Sequence, residues 1–197
     1  MTGFLLAYKP VIVILHALSA AAGLGAVVVT DTLFFRYLKD FRISAKEDET
    51  MRSISRVVWV VILFLFITGL ALFLSEPLGY IAKSKFVVKL VIFGVIVLNG
   101  LLLNVVVAPV LRRIPFGPRT VPLSSRIRLL RALAFASGAV SMVSWLSVFL
   151  LGSVRSIPVG VGTGLVAYGG LILVAIIGSQ VYARILARPR RVVPGKD

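Results

Sequence analysis

The sequence lacks cysteine altogether and has a single histidine and only 7 acidic residues among 197. Without cysteine, the chain has no disulfide, no thiolate metal site and no cysteine nucleophile. The histidine has no carboxylate at its depth in the apolar run that holds it, which excludes a Ser-His-Asp triad. A tetrahedral zinc site is excluded as well, because it would need several carboxylates and the apolar runs contain none.

The few acids stand against 22 lysines and arginines, which gives a net charge of +15. In a soluble protein such a charge would suggest nucleic acid. Here 59% of the residues are hydrophobic and the mean hydropathy is +1.04, which is too apolar for a soluble domain. The basic residues lie in short segments between apolar runs, where membrane orientation and anionic lipid headgroups account for them. We therefore expect no nucleic acid partner.

The chain holds five apolar runs, at residues 10–30, 57–74, 86–111, 129–151 and 159–183. About 20 helical residues, at a rise of about 1.5 Å each, cross the roughly 30 Å of hydrocarbon in a bilayer. The sequence therefore predicts an all-α bundle of five transmembrane helices that forms a single membrane domain over residues 1–197.

The basic residues also predict the orientation of this bundle. Seventeen of the 22, counting Arg131 at the edge of the fourth run, fall in the segment after the first run, the segment after the third run and the C-terminal tail. The positive-inside rule then places the N-terminus outside and the C-terminus in the cytoplasm, as in a multi-pass protein of the bacterial inner (plasma) membrane. We expect the arginines to face anionic headgroups. The first run has one lysine before it and continues unbroken to Thr30, which predicts a retained span rather than a cleaved signal peptide.

Local signals mark some helix boundaries between the runs. Ser44-Ala-Lys-Glu47 is a capping box and predicts a new helix from Ala45. Residues 75–79 predict a turn after the second span. The proline-rich segment 114–122 predicts an irregular loop.

Three ionisable residues lie within or at the ends of the spans, where charge is costly and usually marks a site or a buried pair: His16, Asp31 and Lys89. Counting from Lys9 and Lys85 at about 1.5 Å per residue, the histidine lies about 10 Å deep and the lysine about 6 Å deep, both in the outer half. Asp31 lies at the opposite end. The helical face of His16 also carries small residues, which predicts that this face points into the bundle.

Further polar residues are expected in the interior, namely Asn99 and Asn104 on the third span and a line of serines, Ser137, Ser141 and Ser144, on the fourth. Purely structural interpretations compete with functional ones. Lys89 can extend to the outer headgroups, and His16 can bond a backbone carbonyl or a serine. The two asparagines can be interhelical hydrogen-bond partners, and Asp31 can form an interfacial pair with Arg36.

The chemistry open to these residues is limited. A neutral imidazole in a dry helix bundle is a competent axial ligand for haem iron. His16 is the only candidate for that ligand. A second ligand could be Lys89, if burial deprotonates it, or Met142, the only methionine well inside a span.

Short motifs over residues 9–105 resemble those of the J-type protoporphyrinogen oxidases and the copper-resistance D-like membrane proteins. These motifs are Lys9-x6-His16, Met51-Arg52-x-Ile-Ser-Arg56 and Lys85-x3-Lys89. The J-type enzymes carry an intramembrane histidine on the first helix, a lysine on the third, and b-type haem. The resemblance thus implies His16 as a haem ligand and Lys89 as the site lysine.

Three functions follow as hypotheses. The first is an inner-membrane protein that binds haem b and has a redox role, as an oxidoreductase would. The second is a transporter or channel for protons or small ions, along the line Asp31, Asn104, Asn99 and Lys89. The third is a non-catalytic assembly protein that uses its arginine loops. Catalysis, substrate and self-association stay open at this point.

Overall fold

In the computed structural model, which describes residues 2–40, 44–111, 125–154 and 159–186, every regular element is a helix. The elements are α1 (Thr2–Ala7), α2 (Lys9–Asp40), α3 (Ala45–Ser75), α4 (Pro77–Ile81), α5 (Ser84–Leu101), a π-helical segment (Leu102–Val107), α6 (Ala108–Leu111), α7 (Ser125–Ser153) and α8 (Val161–Leu186).

Five of these helical stretches are long and apolar enough to cross a membrane, which confirms the predicted all-α fold with five candidate spans. The helices themselves do not determine which end faces the cytoplasm. The proline-rich loop, the arginines at 112–119 and the basic tail beyond residue 186 lie outside the described residues.

The start of α3 confirms the capping box. The Ser44 hydroxyl accepts a hydrogen bond from the Glu47 amide at 3.3 Å, and the Glu47 carboxylate accepts one from the Ser44 amide at 2.7 Å. Glu47 and Asp48 place negative charge in the first turn, where the helix dipole favours it. At its other end α3 stops at Ser75 as predicted, but Pro77 then begins the short helix α4, since proline is well tolerated in a first turn.

The third span departs from the continuous helix that the sequence predicts. Regular α-helix gives way to π-helix over Leu102–Val107 and returns at Ala108. Pro109 follows directly, and a proline in a helix has no N–H and pushes away the carbonyl four residues earlier, here that of Val105. A wider turn before Pro109 accommodates this clash.

Helices α2 and α7 form the centre of the bundle. Helix α2 packs against α3 and α7, while α7 also packs against α5 and α8. Trp145 and Ile92 are among the most deeply buried side chains of the core. Helix α8 is peripheral and approaches α5 closely at Gly164, where an added Cβ would lie 3.0 Å from a Val88 methyl group.

The buried face of α2 is the one that the sequence predicts. Ala20, Gly23 and Val27 are all buried there. Gly23 lies against the Trp145 indole, and Asp31 lies against Gly138. These two contacts set the register of the antiparallel helices α2 and α7. Residues that lie at the same level on the two helices have numbers that add up to nearly the same value. We refer below to the two ends of the bundle as the His16 end and the Asp31 end.

Candidate functional site

A cavity of about 180 Å³ lies at the Asp31 end, between α2, α3, the third span and α7. Its wall is mostly apolar, with a few polar side chains. The lining residues are Val27, Thr30, Asp31, Phe34, Asp48, Met51, Arg52, Ser55, Val58, Trp59, Ile62, Ile96, Gly100, Leu103, Asn104, Val107, Ala108, Ala134, Gly138, Ser141 and Trp145.

Asp31 is the distinctive residue of this wall. One carboxylate oxygen lies 3.7 Å from the position that a Cβ on Gly138 would take, so the acid packs beside this glycine of α7. Within the described residues, Asp31 forms neither a hydrogen bond nor an ion pair. The pairing with Arg36 that the sequence suggested is absent there. Five residues in an α-helix turn through about 500°, so the two side chains point to different sides.

Most other polar groups of the cavity wall are already engaged. Thr30 donates to the Ala26 carbonyl at 2.8 Å. Arg52 forms an ion pair with Asp48 one turn before it on α3, and the Arg52 side chain is 55% exposed, so the cavity reaches the surface at this pair. Among the described residues, the Asp31 carboxylate, the Ser141 hydroxyl and the indole N–H groups of Trp59 and Trp145 are the polar groups of the wall that stay without a hydrogen-bond partner.

One side of the cavity wall is formed where α3 meets the third span. These two helices meet through long side chains: Trp59 packs over Gly100, with 3.5 Å to a Cβ placed there, and Ser55 donates to the Asn104 side-chain oxygen at 2.7 Å. Asn104 lies in the π-helical segment and is exposed, although it belongs to an apolar span. The packing of Trp59 on Gly100 and the bond between Ser55 and Asn104 thus form the cavity wall on this side.

Toward the His16 end the cavity is closed by a layer of apolar side chains. Trp145, Ile62 and Ile96 form its end wall, and Ile92, which is fully buried, lies behind them. Among the described residues, no polar side chain of the cavity wall extends through this apolar layer.

Asn99 and Asn104 are both interhelical hydrogen-bond partners, as one interpretation of the sequence predicted. Asn99 is buried and donates to the Ser137 carbonyl on α7 at 2.9 Å. Ser144, which is fully buried, bonds the Tyr168 hydroxyl on α8 at 2.7 Å. These groups hold helices together and do not line the cavity, except for Asn104.

His16 contacts α3 rather than the cavity. Its Nδ1 lies 2.9 Å from the Thr68 hydroxyl oxygen, and that hydroxyl donates its own hydrogen to the Phe64 carbonyl at 2.6 Å. Because a hydroxyl has one hydrogen, Nδ1 must donate to Thr68. A neutral imidazole then carries its free lone pair on Nε2. The ring rests on Gly69, whose added Cβ would lie 3.4 Å from Cε1.

Lys89 lies at the same end of the bundle, with its ammonium nitrogen 3.7 Å from the Cβ position of Gly152 on α7. The register between α2 and α7 places Gly152 near the level of His16, in keeping with the similar depths that the sequence predicts. Met142 is partly buried against the core and falls near the level of Val27 instead. That level is about 15 Å from His16 along the helix at 1.5 Å per residue. This register disfavours Met142 as a ligand opposite His16.

Several site residues carry no clear signal in the sequence. Thr68, Trp59 and Trp145 are ordinary residues of apolar runs and acquire their roles only when helices distant in sequence pack together. Pro109 inside the third run is the one signal for the disturbed helix beside Asn104. The described residues contain no group of three His, Cys, Asp or Glu that could hold a metal ion.

Comparison of the chain with protein-family models, with curated proteins and with solved structures finds no match in any of the three.

Proposed function

We propose that this protein is a multi-pass transporter of the bacterial inner (plasma) membrane in which Asp31 binds a proton or a cation. The observation that supports this proposal is an acidic side chain without a partner on the wall of a largely apolar cavity. An unpaired carboxylate in a membrane span costs free energy, and such residues mark ion or substrate pathways in other proteins.

The cavity geometry supports an alternating mechanism. With the positive-inside orientation, the cavity opens to the cytoplasm beside Asp48 and Arg52, and the Trp145 layer closes it from the outside. Binding of a proton or cation neutralises Asp31 and lowers the cost of moving the acid into a drier environment. Transport then requires α2 and α7 to move apart at the contact between Gly23 and Trp145. A bound ligand favours that movement only if it binds the second conformation more tightly.

Proton flux into proteoliposomes tests the proposal. A potassium diffusion potential, negative inside, drives protons inward, and an enclosed pH-sensitive dye records acidification. We expect flux with the wild-type protein and with Asp31→Glu, and background flux with Asp31→Asn. Glu49→Gln is the matched control, because it removes the same charge from an exposed position on α3. Wild-type flux from Asp31→Asn would contradict the proposal. So would a wild-type protein whose flux, with protons or with any cation tested as substrate, never exceeds that of empty liposomes.

A b-type haem with a redox role is a second candidate, favoured by the tautomer of His16. The bond from Nδ1 to Thr68 orients the ring, as in many metal-bound histidines, and makes Nε2 the nitrogen that could ligate iron. Lys89, at a similar level, has a charge suited to a haem propionate. A bound haem would supply one-electron redox chemistry. The position of the cavity supports haem binding less well than cation binding, because the cavity does not reach His16.

A visible spectrum of the detergent-purified protein tests this second candidate. Haem predicts a Soret band with α and β bands after reduction, while a colourless preparation removes the hypothesis. His16→Ala should then lose or shift the bands, because no other histidine can replace it. Lys89→Met should reduce the haem content per protein and leave the band positions unchanged. Wild-type haem content and bands in His16→Ala would exclude ligation by His16.

A further inference from the structure

We propose that the cavity at the Asp31 end binds an amphipathic organic cation, namely an ammonium group attached to a compact apolar body. This inference rests on the proposed transport function and names the substrate class of the same site.

The charge of the wall selects a cation. Arg52 and Asp48 neutralise each other at the mouth, so Asp31 is the acid whose charge is left uncompensated among the described residues. An anion would meet this carboxylate in an apolar environment, where repulsion is strong. A neutral apolar molecule would leave the carboxylate desolvated without a partner.

The aromatic side chains of the wall are suited to an ammonium group in particular. Trp59, Trp145 and Phe34 all line the cavity. Aromatic faces attract quaternary ammonium groups, which carry a positive charge and need no hydrogen-bond acceptors. Three aromatic residues and one carboxylate therefore provide both a cation–π contact and an opposite charge for an ammonium group.

A metal ion fits the same wall poorly. Ions such as Ca²⁺ and Mg²⁺ take about six or more oxygen ligands. Among the described residues of the wall, Asp31 is the one carboxylate outside an ion pair, and Thr30, Ser55 and Ser141 add only neutral hydroxyl oxygens. One carboxylate and a few hydroxyls in an apolar wall replace the hydration shell of such a metal ion poorly.

The size and the apolar lining of the cavity narrow the class of ligand further. A volume of about 180 Å³ is below the roughly 300–1,000 Å³ of typical drug-sized sites, so the ligand is small. The rest of the wall is largely apolar, which suits the apolar body of such a cation.

Tryptophan fluorescence provides a direct binding assay, because the chain contains two tryptophans and both line the cavity. Full-length protein in detergent is titrated with benzyltrimethylammonium, with free tryptophan in the same detergent as the inner-filter control. We expect saturable quenching with the wild-type protein. Asp31→Asn should bind at least about tenfold more weakly, as expected for loss of one partner of a desolvated charge pair. Glu49→Gln should bind like the wild type.

A second titration, with the wild-type protein alone, covers the case in which Asp31→Asn does not fold. The neutral carbon isostere 2,2-dimethylpropylbenzene, corrected for partition into protein-free micelles, should bind at least about tenfold more weakly than the cation. The inference would be overturned if the wild-type protein bound the cation and its isostere with equal affinity. It would also be overturned if a folded Asp31→Asn bound the cation as tightly as the wild type does. Either result would show that the apolar surface alone selects the ligand, as it would for a lipid chain. Absence of quenching in the wild type would also overturn the inference.

Comparison with the proton-flux assay separates the two proposals. Proton flux that depends on Asp31, together with no binding of benzyltrimethylammonium, leaves the transport function standing and removes the organic cation. Binding that depends on Asp31, without flux of protons or of the cation itself, supports the ligand class and contradicts transport.

Discussion

The indole of Trp145 occupies the space that any side chain on Gly23 would need: an added Cβ would lie 2.1 Å from Cζ3 of the ring. The tryptophan is 2% exposed and belongs to both the core and the end wall of the cavity. This contact between α2 and α7 therefore separates the polar groups of the Asp31 end from those of the His16 end.

Gly23→Ala should destabilise the protein by about 1–3 kcal/mol, because Trp145 is packed in the core and can move only with its neighbours. The measurement is the midpoint of thermal or denaturant unfolding in one detergent. Gly25→Ala is the matched control, since an added Cβ at that position meets no atom within 4 Å. Equal stability of Gly23→Ala and Gly25→Ala would contradict the close contact.

Thr68→Val should lower the free energy of unfolding by about 1 kcal/mol, a typical value for an interhelical hydrogen bond in a membrane protein. Valine keeps the shape of threonine but cannot accept the hydrogen of His16 Nδ1. Thr68→Ser restores the acceptor and should recover most of the loss. The same unfolding assay applies, and wild-type stability of Thr68→Val would show that the bond contributes nothing.

The ion pair between Lys9 and Glu76, 2.5 Å long, ties the start of α2 to the end of α3. The hydrogen bond and the charge of Lys9 lower the pKa of the Glu76 carboxyl below its ordinary value. A lowered folded-state pKa gives stability that is present above the unfolded-state pKa and is lost as pH falls through the folded-state value. Wild type should therefore exceed Glu76→Gln slightly in Tm at pH 7 and match it in strong acid. The Tm difference should be small, because the ion pair is exposed to solvent. A Tm difference between wild type and Glu76→Gln that grows as the pH falls would contradict a stabilising ion pair.

Reporter fusions test the predicted orientation. A C-terminal fusion should report a cytoplasmic location and an N-terminal tag an external one, because five spans place the termini on opposite sides. A C-terminal reporter that reagents reach from outside intact cells would reverse the orientation and place the mouth of the cavity on the outer side.

The five spans, the cap at Ser44 and the buried face of α2 could all be predicted from the sequence, because each depends on residues close together in the chain. Apolar length defines a span, Ser44 and Glu47 form a local motif, and the small residues after His16 follow the helical period. The depths of His16, Asp31 and Lys89 could be estimated in the same way.

The cavity could not be predicted, because it depends on how distant helices pack. Asp31 packs beside Gly138, more than 100 residues later in the sequence, and the end wall includes Trp145, which packs on Gly23. The sequence pointed to the His16 end as the site, because a histidine has more obvious chemistry than one aspartate near a helix end. The candidate haem ligands stay predictions, and the cavity lies at the other end.

The most direct test of the central claim is the accessibility of a single cysteine at Ser141, which lines the same cavity as Asp31, in a chain that has no native cysteine. Ser141→Cys should react with a cationic methanethiosulfonate about tenfold or more faster than with an anionic one, because a carboxylate in an apolar cavity concentrates cations. Adding Asp31→Asn should remove this preference. Ser137→Cys, buried one turn away on the same helix, is the control and should stay unreactive. Equal rates for both reagents, or no reaction at Cys-substituted Ser141, would contradict a water-accessible, cation-selective cavity at Asp31.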